Sequence, residues 1–114
     1  MTIKGVGIDI VEIKRFRKIN SRIKDKFIVS NFSKEERSYV FSHKDWALHL
    51  AGIFAAKESV IKALGKNNIS MSSIEIRKTA RGKPTVFVKG RKRKDILTTI
   101  SHSNNIAISL SLIL

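Results

Sequence analysis

The chain has no cysteine, a single proline, one tryptophan, one tyrosine and only nine acidic residues among 114. Without cysteine there can be no disulfide, thiolate metal ligand or cysteine nucleophile, which fits a reducing cytoplasm. Any metal must therefore bind through oxygen or histidine. The longest apolar-rich tract, Ile106 to Leu114, is interrupted by Ser109 and Ser111 and falls far short of the roughly 20 residues that span a bilayer. No basic stretch leads into an apolar run near Met1, so the expectation is a soluble protein without a targeting segment. Aromatic residues are few, and none alternates with basic residues along a strand, as base-stacking modules require.

Cationic side chains, by contrast, are abundant. Twenty-three Lys and Arg against nine Asp and Glu give a formal charge of +14. Such a charge speaks about partners, which must be anionic: a nucleic acid, a polyphosphate cofactor or an acidic protein surface. A chain of this length makes one domain, residues 1–114, that buries only about two-thirds of its unfolded surface, so self-association would add useful burial.

Val6, Ile8 and Ile10 alternate with Gly5, Gly7 and Asp9, the period of a strand with one apolar face and one nearly bare of side chains. From Glu12 the spacing Phe16, Ile19, Ile23 turns helical, with Lys14, Arg15, Arg17, Lys18 and Arg22 on the remaining surface. Ser33 followed by Glu36 predicts a capping box. The longest helix is expected from about Asp45 to Leu64, stopped by Gly65, with an apolar stripe of Trp46, Leu50, Ile53, Phe54, Ile61 and Leu64. Beyond it the period becomes two. Ile74 and Ile76, the turn Arg81-Gly82-Lys83-Pro84, and Thr85 to Val88 read as a hairpin, and Ile96 to His102 and Ile106 to Leu114 flank Ser103-Asn104-Asn105 as another. Strand, helices and then a run of strands predict an α+β domain, with one long and several shorter helices packed on an antiparallel sheet. The run Lys89 to Lys94 reads as a solvated loop.

Two places stand out chemically. Asp9 closes the bare face of the first strand, where a ligand can approach backbone and meet a carboxylate, although a strand-end Asp also caps turns. On the long helix Glu58 and Lys62 lie four apart along one edge, the spacing of an ordinary surface pair. Lys57 falls in the apolar stripe. Its stem either snorkels to water or its ammonium is buried against an anion or a carbonyl.

Val6-Gly7-Ile8-Asp9 and Phe54-Ala55-Ala56-Lys57-Glu58-Ser59-Val60-Ile61-Lys62 together resemble the two signature motifs of the phosphopantetheinyl transferase superfamily. The short chain is similar to its holo-acyl-carrier-protein synthase branch. So are Glu12-Ile13-Lys14-Arg15-Phe16, Phe32-Ser33-x-x-Glu36, Arg81-Gly82-Lys83-Pro84 and Ile100-Ser101-His102-Ser103, collinear across nearly the whole chain. The resemblance implies transfer of 4'-phosphopantetheine from coenzyme A to a serine of apo acyl carrier protein, serving fatty acid biosynthesis. It implies Mg²⁺ on Asp9 and Glu58, and Glu58 and Lys62 as catalytic groups, with Glu58 taking the serine proton directly or through a metal-bound water. Lys57, Lys62, Gly65, Arg81, Gly82, Lys83, Pro84 and His102 fall at coenzyme-contacting positions, and Lys14, Arg15, Lys18 and Arg22 would dock the acidic carrier. The branch forms homotrimers with sites shared between chains, and Ile106 to Leu114 carries more apolar surface than a small sheet needs. The pattern departs at Lys66 to Ser70, shorter than the family's usual loop there, at the short Lys89 to Lys94 segment, and at Ile106, where an aromatic is common. The competing reading is a non-catalytic basic nucleic-acid-binding protein, which leaves Asp9 and Glu58 without work.

Overall fold

A computed structural model describes residues 2–19 and 25–114. Strand β1 (Gly5–Glu12) is followed by three short helices, α1 (Lys14–Arg17), α2 (Lys26–Asn31) and α3 (Lys34–Phe41), and then by the 19-residue α4 (Trp46–Leu64). Five strands complete the chain: β2 (Ile74–Lys78), β3 (Pro84–Val88), the two-residue β4 (Arg91–Lys92), β5 (Ile96–His102) and β6 (Ile106–Ile113). They form two three-stranded antiparallel sheets, ordered β1-β6-β5 and β2-β3-β4, rather than one. The α+β expectation holds. Among the described residues no helix is long and apolar enough to cross a membrane.

Helix α4 lies directly on the first sheet because both surfaces are small. A Cβ placed on Gly7 would sit 2.0 Å from the Ser59 carbonyl oxygen, and one on Gly5 would sit 2.2 Å from that of Ala63. The bare face of β1 therefore receives the helix backbone, not a ligand, which corrects the reading that its glycines make room for one. On the same side of β6, Ser111 opposite Gly7, Ser109 opposite Asp9 and Ala107 opposite Val11 are also buried. Their hydroxyls are satisfied within the interface: Ser59 Oγ lies 3.0 Å from Ser109 Oγ and 2.7 Å from Ser111 Oγ, and Ser109 Oγ donates to the Thr99 carbonyl.

Three apolar residues of β1 point the other way. Val6, Ile8 and Ile10 are 60%, 56% and 61% exposed, and the pairing register sets them beside Leu112, Leu110 and Ile108 of β6. Leu97 of β5 extends this outer apolar face. The chain thus buries Gly, Ala and Ser against its own helix and leaves branched aliphatics in the open.

Glu36 does more than close the predicted capping box with Ser33, which is present in full. Its carboxylate also accepts from Lys57 Nζ at 2.7 Å and from the Ile76 backbone N–H at 2.7 Å, tying α3, α4 and β2 together. The helix expected from Glu12 is shorter than its periodicity suggested, because Glu12 is still paired in β1 and α1 ends at Arg17. Phe16 is buried as expected, in contact with Phe27 and Phe54. Ile23 and Arg22 lie outside the described residues. The predicted hairpin turn before Pro84 forms with Gly82 at φ 81, the left-handed conformation that glycine adopts without a Cβ penalty. Gly65 caps α4 in the same region, at φ 65.

Candidate active site

Asp9 sits on the helix-facing side of β1, just past the close contact at Gly7. There Lys62 Nζ reaches it across 3.1 Å and also donates to the Ile8 carbonyl at 2.9 Å. Asp9 is mostly covered, whereas Lys62 keeps about half its side chain in water. Glu58 lies one turn earlier on the same edge of α4. Partial burial pushes its carboxyl above the usual range, and the nearby Asp9 charge pushes it further, while Lys62 and Arg15 pull it back. Two carboxylates from different elements thus share one cationic neighbourhood.

Arg15 is held beside this pair by aromatic faces. Its guanidinium carbon lies 5.0 Å from the Phe54 ring centre, 5.5 Å from Phe16 and 6.0 Å from Phe27. With Lys14 and Lys18 it lines a cavity of about 530 Å³ whose apolar side is Ile10, Val11 and Ile106. The acidic carboxylates and the basic wall are therefore contiguous through Arg15.

His102 lies elsewhere. The register sets Val11, Ala107 and His102 in one row of the helix-facing side of the sheet, two strands across from β1. On α4 its neighbour is His49, at 6.2 Å between ring centres, and residues 49 and 58 are nine apart, half a rotation around the helix at 100° per residue. His43 stacks on His49 at 3.7 Å, Tyr39 abuts both rings, and the Lys78 amine lies 5.5 Å from the Tyr39 ring centre. Lys78 pairs with Pro84, so the Arg81 to Pro84 turn belongs to this flank. Within one chain the expected site residues fall into two groups on opposite flanks of α4.

Lys57 is not available to either group. Its side chain is fully buried, donating to Glu36 and to the Asn31 carbonyl. The coenzyme contact expected of it is corrected to a core ion pair: residue 57 faces the interior when residue 58 faces the cleft. Sequence reasoning assigned no role to His43 and His49, whose only sequence signal is that they complete the chain's set of three histidines.

Among the described residues no cluster of three or more His, Cys, Asp and Glu side chains could hold a metal ion. Asp9 and Glu58 supply two hard oxygen donors, which suits an ion that keeps water and phosphate oxygens for its remaining positions, as Mg²⁺ does. The Lys62 ammonium against Asp9 marks a place where positive charge is already favourable.

Comparison with known proteins places the chain in a family. The holo-[acyl-carrier-protein] synthase of Thermodesulfovibrio yellowstonii is 42% identical over 112 residues, covering 97% of this chain and 98% of that protein. That of Clostridium acetobutylicum is 39% identical, covering 97% of each. Among solved structures, the Bacillus anthracis holo-(acyl-carrier-protein) synthase in complex with CoA (3',5'-ADP) superposes with a TM-score of 0.80 at 32% identity, over 97% of this chain and 96% of that one. The Helicobacter pylori synthase in complex with coenzyme A gives 0.77 at 29% identity, over 96% and 99%. Residues 5–111 match the 4'-phosphopantetheinyl transferase superfamily, and the chain belongs to that family.

Proposed function

We propose that this chain transfers the 4'-phosphopantetheine arm of coenzyme A to a serine hydroxyl of an apo acyl carrier protein, releasing adenosine 3',5'-bisphosphate. The observation that carries the reading is the meeting of Asp9, Glu58 and Lys62 at the β1–α4 contact, with Glu58 held above its ordinary pKa. Two synthases similar to this chain were solved with coenzyme A or its nucleotide portion bound.

Asp9 and Glu58 would hold Mg²⁺, which when bound neutralises pyrophosphate oxygens and so favours attack at phosphorus. The serine oxygen forms a bond to the phosphorus bearing the pantetheine arm as the bond to the bridging oxygen breaks. The negative charge left on the nucleotide is met by the Lys62 ammonium, which is half-exposed and can turn from Asp9 toward it. Glu58, beside Asp9 and four residues before Lys62 on α4, is the carboxylate placed to take the serine proton. Lys14, Arg15 and Lys18 would orient an acidic carrier over the cavity they line, where rim charges raise the on-rate and fix direction.

The coenzyme is assigned to a cleft between copies of the chain, one contributing Asp9, Glu58 and Lys62, its neighbour His102 and the Arg81 to Pro84 turn. Their separation on opposite flanks of α4 supports this, and so does the exposed face of Val6, Ile8 and Ile10, which assembly as a homotrimer would cover. The reaction belongs in the cytoplasm, where a cysteine-free chain is at home.

The test is the intact mass of an apo acyl carrier protein after incubation with this protein, coenzyme A and Mg²⁺, with and without EDTA. A gain of one phosphopantetheine that EDTA abolishes is the expected result. No gain with several carriers would remove the transferase reading.

A further inference from the structure

The basic run Lys89 to Lys94, expected to be a solvated loop, is instead built into the second sheet. Lys89 takes φ 51 and Gly90 φ 80, turning β3 back into β4. The turn is pinned at both ends: the Lys89 N–H donates to the Ser73 carbonyl and the Arg93 N–H to that of Val86, each at 2.8 Å. A left-handed lysine is a conformation that side chains adopt only where surrounding contacts impose it. The backbone that carries these cations is therefore fixed, while their side chains stay in water.

They face a groove of about 480 Å³ between the C-terminal end of α4 and the β3–β4 turn. Its floor is apolar, made by Leu64, Ile69 and Val88, and its walls carry Lys66, Lys89 and Arg91. No carboxylate lines it. Arg93 at its edge is neutralised by Asp95 through two 2.8 Å bonds, whereas Lys66, Lys89 and Arg91 make no ion pair among the described residues. Like charges gathered on one rim repel one another, and an anion seated between them relieves that repulsion. The groove shares no residue with the Asp9 and Glu58 site or with the wall at Lys14, Arg15 and Lys18.

We propose that this groove docks an acidic amphipathic helix of a protein partner, its carboxylates on Lys66, Lys89 and Arg91 and its apolar face on Leu64, Ile69 and Val88. Charge complementarity selects an anionic occupant, and the floor selects one with an apolar face. A helix with glutamates and leucines spaced three and four apart presents both at once. A single-stranded nucleic acid fits less well, since no aromatic side chain lines the groove to stack on a base. An anionic membrane would meet protruding apolar residues rather than recessed ones. The proposal does not depend on the transfer reaction.

The experiment is fluorescence anisotropy of the full chain with a labelled synthetic helix of about four turns carrying glutamate and leucine on one face. Its comparators are a scrambled peptide of equal charge, an oligonucleotide of equal charge and anionic phosphatidylserine vesicles. The triple variant K66E/K89E/R91E should weaken the amphipathic peptide by about tenfold or more, while K14E/K18E changes it by no more than about twofold. Circular dichroism checks the fold of the triple variant, and R91E alone, with a smaller loss in the same direction, serves if it unfolds. The scrambled peptide should bind more weakly. Equal binding of both peptides, loss on K14E/K18E instead, tighter binding of oligonucleotide or vesicles through the groove residues, or no binding at all would each overturn the proposal.

Discussion

The Lys57 ammonium and the Glu36 carboxylate meet at 2.7 Å with neither side chain exposed to solvent. Burial pushes Glu36 up and Lys57 down, each toward its neutral form, and the attraction between them opposes both shifts. Glu36 is further satisfied by the Ser33 and Ile76 N–H groups, so the pair is embedded in hydrogen bonds rather than merely juxtaposed. It joins α3 and β2 to α4 on the side of the helix turned away from the cleft.

Removing one partner leaves the other charge buried alone. Lys57→Ala should therefore destabilise the fold by about 3–5 kcal/mol, read as a lower denaturant midpoint. In the fraction that remains folded, coenzyme A affinity should be close to that of the parent, because Lys57 has no exposed surface with which to touch it. A large loss of affinity with stability intact would reverse this assignment.

Gly7→Ala tests the strand–helix contact. The new Cβ would lie 2.0 Å from a backbone oxygen and 2.6 Å from a backbone nitrogen of α4, neither of which can rotate away. The helix must shift. The expected cost is about 1–3 kcal/mol by thermal or chemical unfolding, with transfer activity falling as well because Asp9 and Glu58 are carried by the two elements forced apart. Unchanged stability would mean the elements are less closely apposed than described.

Glu58→Gln separates catalysis from stability. Transfer should fall by about 10²- to 10⁴-fold if this group takes the serine proton. Stability should not fall. A carboxyl whose folded pKa is raised above its unfolded value loses stability as pH rises between the two, so at neutral pH the ionised Glu58 is a small liability that the amide removes. A melting temperature equal to or above the parent's at pH 7, with activity nearly gone, is the expected pair of results. Full activity would end Glu58's part in the reaction.

His49 predicts an acid limb. Burial lowers its pKa first, and His43, His102 and Lys78 lower it further, with Asp45 opposing and Tyr39 closing the cluster edge-on. The neutral ring is the one the fold prefers. Stability linked to it is complete above the ordinary histidine value of about 6.5 and is lost as pH falls from there through the folded pKa. In denaturant titrations from pH 7.5 to about pH 5, His49→Gln should flatten this slope. A slope identical in parent and variant would assign the acid sensitivity to other groups.

Much of the chemistry was legible along the chain because short-range spacing fixes it. Glu58 and Lys62 four apart on a helix face one way whatever they pack against, and Ser33 and Glu36 cap each other within a single turn. The hairpin turn before Pro84 and the stop at Gly65 follow from local backbone preferences. Lys57 was ambiguous for the same reason: periodicity puts it in the apolar stripe, yet its partner Glu36 is 21 residues away and belongs to another helix.

The sequence by itself determined the long helix, the longer strands, the Asp9 and Glu58–Lys62 motifs and the need for anionic partners, all of which depend on residue identity and near-neighbour spacing; the short α2 and β4 were not among them. Only the tertiary structure decided which face of β1 is covered. Alternation announces two faces but not which one the helix takes, and close approach of the α4 backbone made the glycine face the inner one and left Val6, Ile8 and Ile10 outside. It likewise parted His102 from Asp9, brought it beside His49 more than fifty residues earlier, and turned a charged run into the wall of a groove. Those outcomes depend on long-range packing, where the contact of two surfaces, rather than the order of residues, sets what each side chain meets.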